Sequence, residues 1–69
     1  MEDYDKAIEV VGKAIELTPD YANYYDSKGE ILVMKGDFDA AKEILEKIHS
    51  IDSEFIRKNN PEWAKRVKN

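Results

Sequence analysis

The stretch that decides the fold is residues 37–47, DFDAAKEILEK, because residues 3–13, DYDKAIEVVGK, match it 34 positions earlier. Between residues 3–21 and 37–55, five positions are identical and six are conservative. The identical pairs are Asp3 with Asp37, Asp5 with Asp39, Ala7 with Ala41, Glu9 with Glu43, and Lys13 with Lys47. The apolar pairs lie where each helix would bury its core face. A period of this length that holds two helices indicates a helix–turn–helix repeat.

Apolar residues at helical spacing predict three antiparallel helices around this repeat. The first covers about residues 3–17 and stops before Pro19, since the residue before a proline avoids the α region. The second runs from Tyr21 to Lys35 and is closed by Gly36. The third runs from Phe38 to about Ser50, with Phe38 on its buried side. Gly29 lies inside the second helix, which indicates that another helix approaches closely there.

The C-terminal segment is less regular. Whether residues 53–58 form a helical turn of their own stays open. Asn60 followed by Pro61 is typical of an N-cap and a first helical position. A short final helix is therefore predicted from Glu62 to Lys68, with Trp63 and Val67 on one face.

These features resemble the tetratricopeptide repeat family, whose unit pairs a first helix (the A helix) with a second (the B helix). The residues at the pattern positions are Tyr25, Gly29, Leu32, the turn Gly36 to Ala41, Ala41 itself and Leu45. The sequence departs from the pattern at Lys28, Ile48 and Ser53.

The resemblance implies an all-α fold, an antiparallel helix-turn-helix array of three helices plus a C-terminal capping helix. Residues 1–69 then form one domain in three parts. Residues 1–20 would be the B helix of an incomplete repeat, residues 21–55 one complete repeat, and residues 56–69 the capping helix.

Composition restricts the function classes. The chain has 69 residues and no Cys, which excludes disulfides and the commonest structural zinc sites. Its net charge of -4 divides into an acidic body, residues 1–52, and a C-terminal segment with five bases and two acids. An acidic body repels phosphate, so we expect no nucleic acid there. No apolar run is long enough for a membrane helix, so we expect no membrane partner and a cytoplasmic location.

Catalytic chemistry has little support in this sequence. The only histidine, His49, lies three residues after Glu46, a spacing that carboxylate-bridged metal sites use in pairs with further carboxylates. No glycine-rich phosphate loop or nucleophile motif is present. We therefore expect no enzyme activity, no metal and no cofactor.

Two functions remain. The resemblance implies a protein-interaction module, in which a protein or peptide partner lies on the non-core face of the second helix. The candidate residues are Asn23, Asp26, Ser27, Glu30, Val33 and Met34. Asp26 and Glu30 favour a basic or mixed peptide, although these residues could equally be a solvated face.

The other function is self-association as a structural scaffold, because about three repeats are normally needed for stability. A second copy would then cover an exposed stripe on the first helix, forming a homo-oligomer. The candidate residues are Ile8, Val11, Ile15 and Trp63. Alternatively, Trp63 folds back to cap the array, or the chain is part of a longer repeat protein.

Overall fold

The structure, a computed structural model, describes residues 3–67, and helices account for most of them. The helices are α1 (Tyr4–Leu17), α2 (Ala22–Lys35), α3 (Phe38–Ile51), α4 (Phe55–Asn59) and α5 (Glu62–Val67). No strand occurs within residues 3–67. The predicted all-α repeat array is confirmed, and the three long helices begin and end within one residue of their predicted bounds.

Helices α1 and α3 begin in the same way, as the internal repeat predicts. The Asp3 carboxylate accepts a hydrogen bond from the backbone N–H of Lys6 at 3.0 Å, and Asp37 accepts one from Ala40 at 3.2 Å. Each carboxylate satisfies an N–H that the first turn leaves without a helical partner. Between them, α2 ends at Gly36, whose φ of 92° is left-handed and suits glycine. The tight turn makes α2 and α3 antiparallel.

The core lies between α2, α3 and α5, with α2 at its centre. Helix α2 packs against α1, α3 and α5. The residues that carry the family resemblance are buried: Tyr25, Gly29, Leu32, Ala41 and Leu45. Helix α1 has no buried residue and adds only the half-buried Ile8 and Ile15 to the edge of the core.

The structure corrects the prediction that Phe38 is buried, because its side chain is 48% exposed. Phe38 is the first residue of α3, and α2 has already ended at Lys35, so the α2–α3 pair does not cover it. The buried face of α3 is instead formed by Ala41, Ile44, Leu45 and Ile48.

The segment after α3 differs from its prediction at Asn60. Residues 55–59 form the short helix α4, which overlaps the region 53–58 that the sequence left open. Asn60 is not an N-cap: its φ is 47°, and its backbone N–H donates to the carbonyl of Ile56 at 2.7 Å. Asparagine tolerates the left-handed region better than most residues, so Asn60 ends α4 and α5 begins after Pro61. Lys68, predicted within the last helix, lies outside the described residues.

Candidate partner-binding site

The candidate site is built by the contact between α5 and α2. Trp63 is 4% exposed, and its indole ring lies on the backbone of α2 at Gly29. A Cβ at position 29 would lie 2.5 Å from two ring carbons of Trp63, which no side chain tolerates. The prediction that another helix approaches Gly29 is therefore confirmed, and the approaching helix is α5.

A hydrogen bond fixes the indole in this position. The Nε1–H of Trp63 donates to Oδ1 of Asp26 at 2.6 Å, one turn of α2 away from Gly29. Buried Trp side chains usually require such a partner for their one polar atom. Ala64 and Val67 are buried beside Trp63, so α5 is held against α2 and α3 by packing as well as by this bond.

Beside the indole, α2 and α5 form an open groove with a cavity of about 180 Å³. Its lining residues, called here the α2–α5 groove, are Glu30, Val33, Met34, Glu62, Trp63 and Arg66. The buried Val33 and Trp63 make an apolar floor, whereas the exposed side chains stand at the rim. The groove thus offers an apolar surface bordered by two carboxylates and one guanidinium.

The six residues that the sequence placed on the partner-binding face are not equivalent in the structure. Glu30, Val33 and Met34 line the groove, and Asn23 and Ser27 are exposed further towards the N-terminus of α2. Val33 was expected to be available to a partner, but it is 5% exposed because α5 packs over this part of α2. Asp26 is half-buried and already holds the indole N–H of Trp63.

Sequence reasoning missed Glu62 and Arg66, the two groove residues on α5. Their spacing of four places them on one helical face, next to Trp63. Gly29 indicates that a helix approaches α2. Trp63 is the largest apolar side chain of the sequence, and the helix that it contacts was left open. Combining these two signals would have placed α5, and hence Glu62 and Arg66, beside α2.

The structure also places the predicted self-association residues differently from what the sequence indicated. Trp63 is buried within its own chain, so it is not available to a second copy. It does fold back, but it caps α2 and α3 rather than α1. Ile8 and Ile15 pack against the edge of the core, and Val11 is half-buried. The exposed large apolar residues of α1 are instead Val10, at 59%, and Leu17, at 86%.

Nothing in the described residues points to catalysis. Within residues 3–67, no three His, Cys, Asp or Glu side chains are grouped so that they could hold a metal ion. His49 is exposed near the end of α3. No helix in the same range is long and apolar enough to cross a membrane.

Short antiparallel helix pairs stacked about a shared core define a helical-repeat protein. The tetratricopeptide repeat family model matches residues 1–21 and again residues 22–55. The chain belongs to this family, so the resemblance inferred from its sequence is confirmed. Repeats of the family generally mediate protein–protein interactions. No curated protein and no solved structure gives a significant match to the chain.

Proposed function

We propose that the chain is a non-enzymatic protein-interaction module that binds a peptide segment of its partner in the α2–α5 groove. The observation that supports this proposal is the groove itself, an apolar floor beside the buried Trp63 with charged side chains at the rim. Binding sites for side chains commonly combine an apolar concave surface with a few polar groups that fix orientation.

The charges at the rim favour a basic or mixed peptide. Glu30 and Glu62 bring two carboxylates to the groove, against the single guanidinium of Arg66. The Asp26 carboxylate, in contrast, is occupied by the Trp63 indole, so it adds less to recognition than the sequence suggested. A Lys or Arg of the peptide would therefore find a carboxylate partner on either side of the groove.

The apolar part of the groove is suited to one side chain. Met34 is 47% exposed and lies between the floor and solvent. Methionine has a flexible, polarizable side chain that adapts to differently shaped apolar partners. The partner segment is thus expected to place an apolar residue against Met34 and a basic residue near Glu30 or Glu62.

Selection from a displayed library of random peptides tests this function. We expect the peptides bound by the native chain to be enriched in Lys and Arg next to an apolar residue. The double variant Glu30→Lys with Glu62→Lys should bind those peptides at least about tenfold more weakly, because attraction becomes repulsion at the rim. Both glutamates are exposed, so the fold should be retained, which circular dichroism would verify.

The matched control is Glu43→Lys with Glu46→Lys, which makes the same change of net charge at two exposed positions of α3 outside the groove. We expect this control to retain binding. An equal loss of peptide binding in both variants would mean that the net charge of the chain, and not the groove, determines binding. Unchanged binding in the Glu30, Glu62 variant would show that peptides bind elsewhere.

Self-association is a second candidate function, favoured by the exposure of Val10 and Leu17 on α1. Large apolar side chains exposed on one helical edge are typical of interaction surfaces. A second copy of the chain that covers them would bury this edge.

A further inference from the structure

Helix α1 carries two apolar rows, and the chain itself covers the outer one only at its half-buried residues Ala7 and Ala14. Ile8 and Ile15 belong to the inner row, which packs against the edge of the core. The outer row contains Ala7, Val10, Ala14 and Leu17, separated by three, four and three residues. This is the spacing of a coiled-coil seam over two heptads, with Ala at each a position and a larger residue at each d position. Val10 and Leu17 of this outer row are exposed.

We propose that the outer row of α1 pairs with the same row of a second copy in antiparallel orientation, around a twofold axis. The inference rests on the self-association proposed above and specifies its geometry. In an antiparallel pair with the axis midway between Val10 and Ala14, Ala7 lies opposite Leu17 of the second copy, and Val10 lies opposite Ala14. Every small side chain then meets a large one. A parallel pair would instead place Ala against Ala and Leu against Leu, which leaves gaps and overpacked layers.

Charge is also compatible with the antiparallel pair. Lys6 lies beside Ala7 at one end of the outer row, and Asp20 follows Leu17 at the other end. Antiparallel pairing brings Lys6 of each copy to the end that carries Asp20 of the other, which gives two opposite-charge pairs. Asp3, one turn before Ala7, comes to the same end, where its carboxylate already accepts a hydrogen bond from the backbone N–H of Lys6. Two Lys13 side chains meet near the axis, and they are exposed enough for solvent to screen their repulsion.

The surface of α5, at the other end of the helical array, also supports a second copy as the cover of the outer row of α1. The side chains that α5 directs to solvent are Glu62, Lys65 and Arg66, a polar outer surface of the kind that ends a repeat array. Among the described residues, the outer row of α1 is therefore the end surface with apolar side chains. A symmetric pair covers this row in both copies and leaves the polar surface of α5 facing solvent in each.

The test is sedimentation equilibrium of the 69-residue chain between about 20 μM and about 1 mM, since a two-heptad seam is a small interface with weak affinity. We expect a monomer–dimer equilibrium in this range. Val10→Lys with Leu17→Lys should give a monomer, and helicity should be retained because both positions are exposed. The control Phe38→Lys with Glu43→Gln removes an exposed apolar residue of α3 and makes the same change of net charge, at positions outside α1 and outside the groove, and should dimerise like the native chain.

An exchange of side chains tests the geometry. Ala7→Leu alone should weaken the dimer at least about tenfold, because it places a large residue against Leu17 of the second copy. The double variant Ala7→Leu with Leu17→Ala restores a small residue opposite a large one and should recover the native affinity. A monomer throughout the concentration range would overturn self-association itself. A dimer strengthened by Ala7→Leu would leave self-association standing and overturn the antiparallel seam.

Discussion

Gly29 and Gly12 both lie inside helices, but their surroundings differ. A Cβ at Gly29 would collide with the indole of Trp63, whereas a Cβ at Gly12 would meet no neighbouring atom within 4 Å. Glycine in a helix costs about 1 kcal/mol relative to alanine. At position 29 this cost is offset by the packing of α5, since only a residue without a side chain leaves room for Trp63. At Gly12 no contact within the described chain offsets it.

These surroundings predict opposite effects of alanine at the two positions. Gly29→Ala should lower the free energy of unfolding by about 1–3 kcal/mol, because overpacking exceeds the gain in helix propensity. Gly12→Ala should raise it by about 0.5–1 kcal/mol. Urea unfolding followed by circular dichroism measures both. Stabilisation by both substitutions would contradict the placement of Trp63 on Gly29.

At the scale of elements, the sequence predicts α1, α2 and α3 well because their signals are local. The repeated capping aspartates, the apolar spacing, Pro19 and Gly36 each act within a few residues. The position of α5 depends instead on contacts across long stretches of chain, such as Trp63 with Gly29. A helix of six residues has too few turns to show a clear apolar face, so only packing reveals which surface it covers. The partner-binding face was therefore predicted on α2 alone, without Glu62 and Arg66.

An ion pair joins the first turn of α1 to the last turn of α2. Nζ of Lys35 lies 2.6 Å from Oδ1 of Asp5. The hydrogen bond to Asp5 and its charge raise the pKa of Lys35 above the ordinary value of 10.5. Because the folded-state pKa is the higher one, the pair stabilises the fold below 10.5 and the contribution is lost as pH rises through the folded-state pKa.

This linkage predicts a pH-dependent effect of Asp5→Asn. The melting temperature of the variant should lie below that of the native chain at about pH 8, and the difference should shrink as the pH rises through the folded-state pKa of Lys35. Asp39→Asn is the matched control, since Asp39 occupies the same first-turn position in α3. It has no ion pair among the described residues, so its effect should not follow the titration of Lys35. A pH-independent difference for Asp5→Asn would mean that the ion pair does not contribute.

At the scale of the whole molecule, α5 packs against both helices of the complete repeat, α2 and α3. One and a half repeats thereby obtain a core that the repeat helices alone would lack. The same arrangement creates the groove, since its lining residues come from α2 and α5. The two ends of the array differ, with the polar surface of α5 at one end and the outer row of α1 at the other.

The most direct test of the central claim, that the α2–α5 groove binds the partner, is chemical-shift mapping by NMR. The ¹⁵N-labelled chain would be titrated with the tightest peptide from the library selection. We predict that the largest shifts occur at residues 30–34 and 62–66 and at the indole N–H of Trp63, which is the only tryptophan. The amides of residues 43–47 on α3 should stay unchanged. Shifts confined to α1, with residues 30–34 and the indole unaffected, would contradict the account.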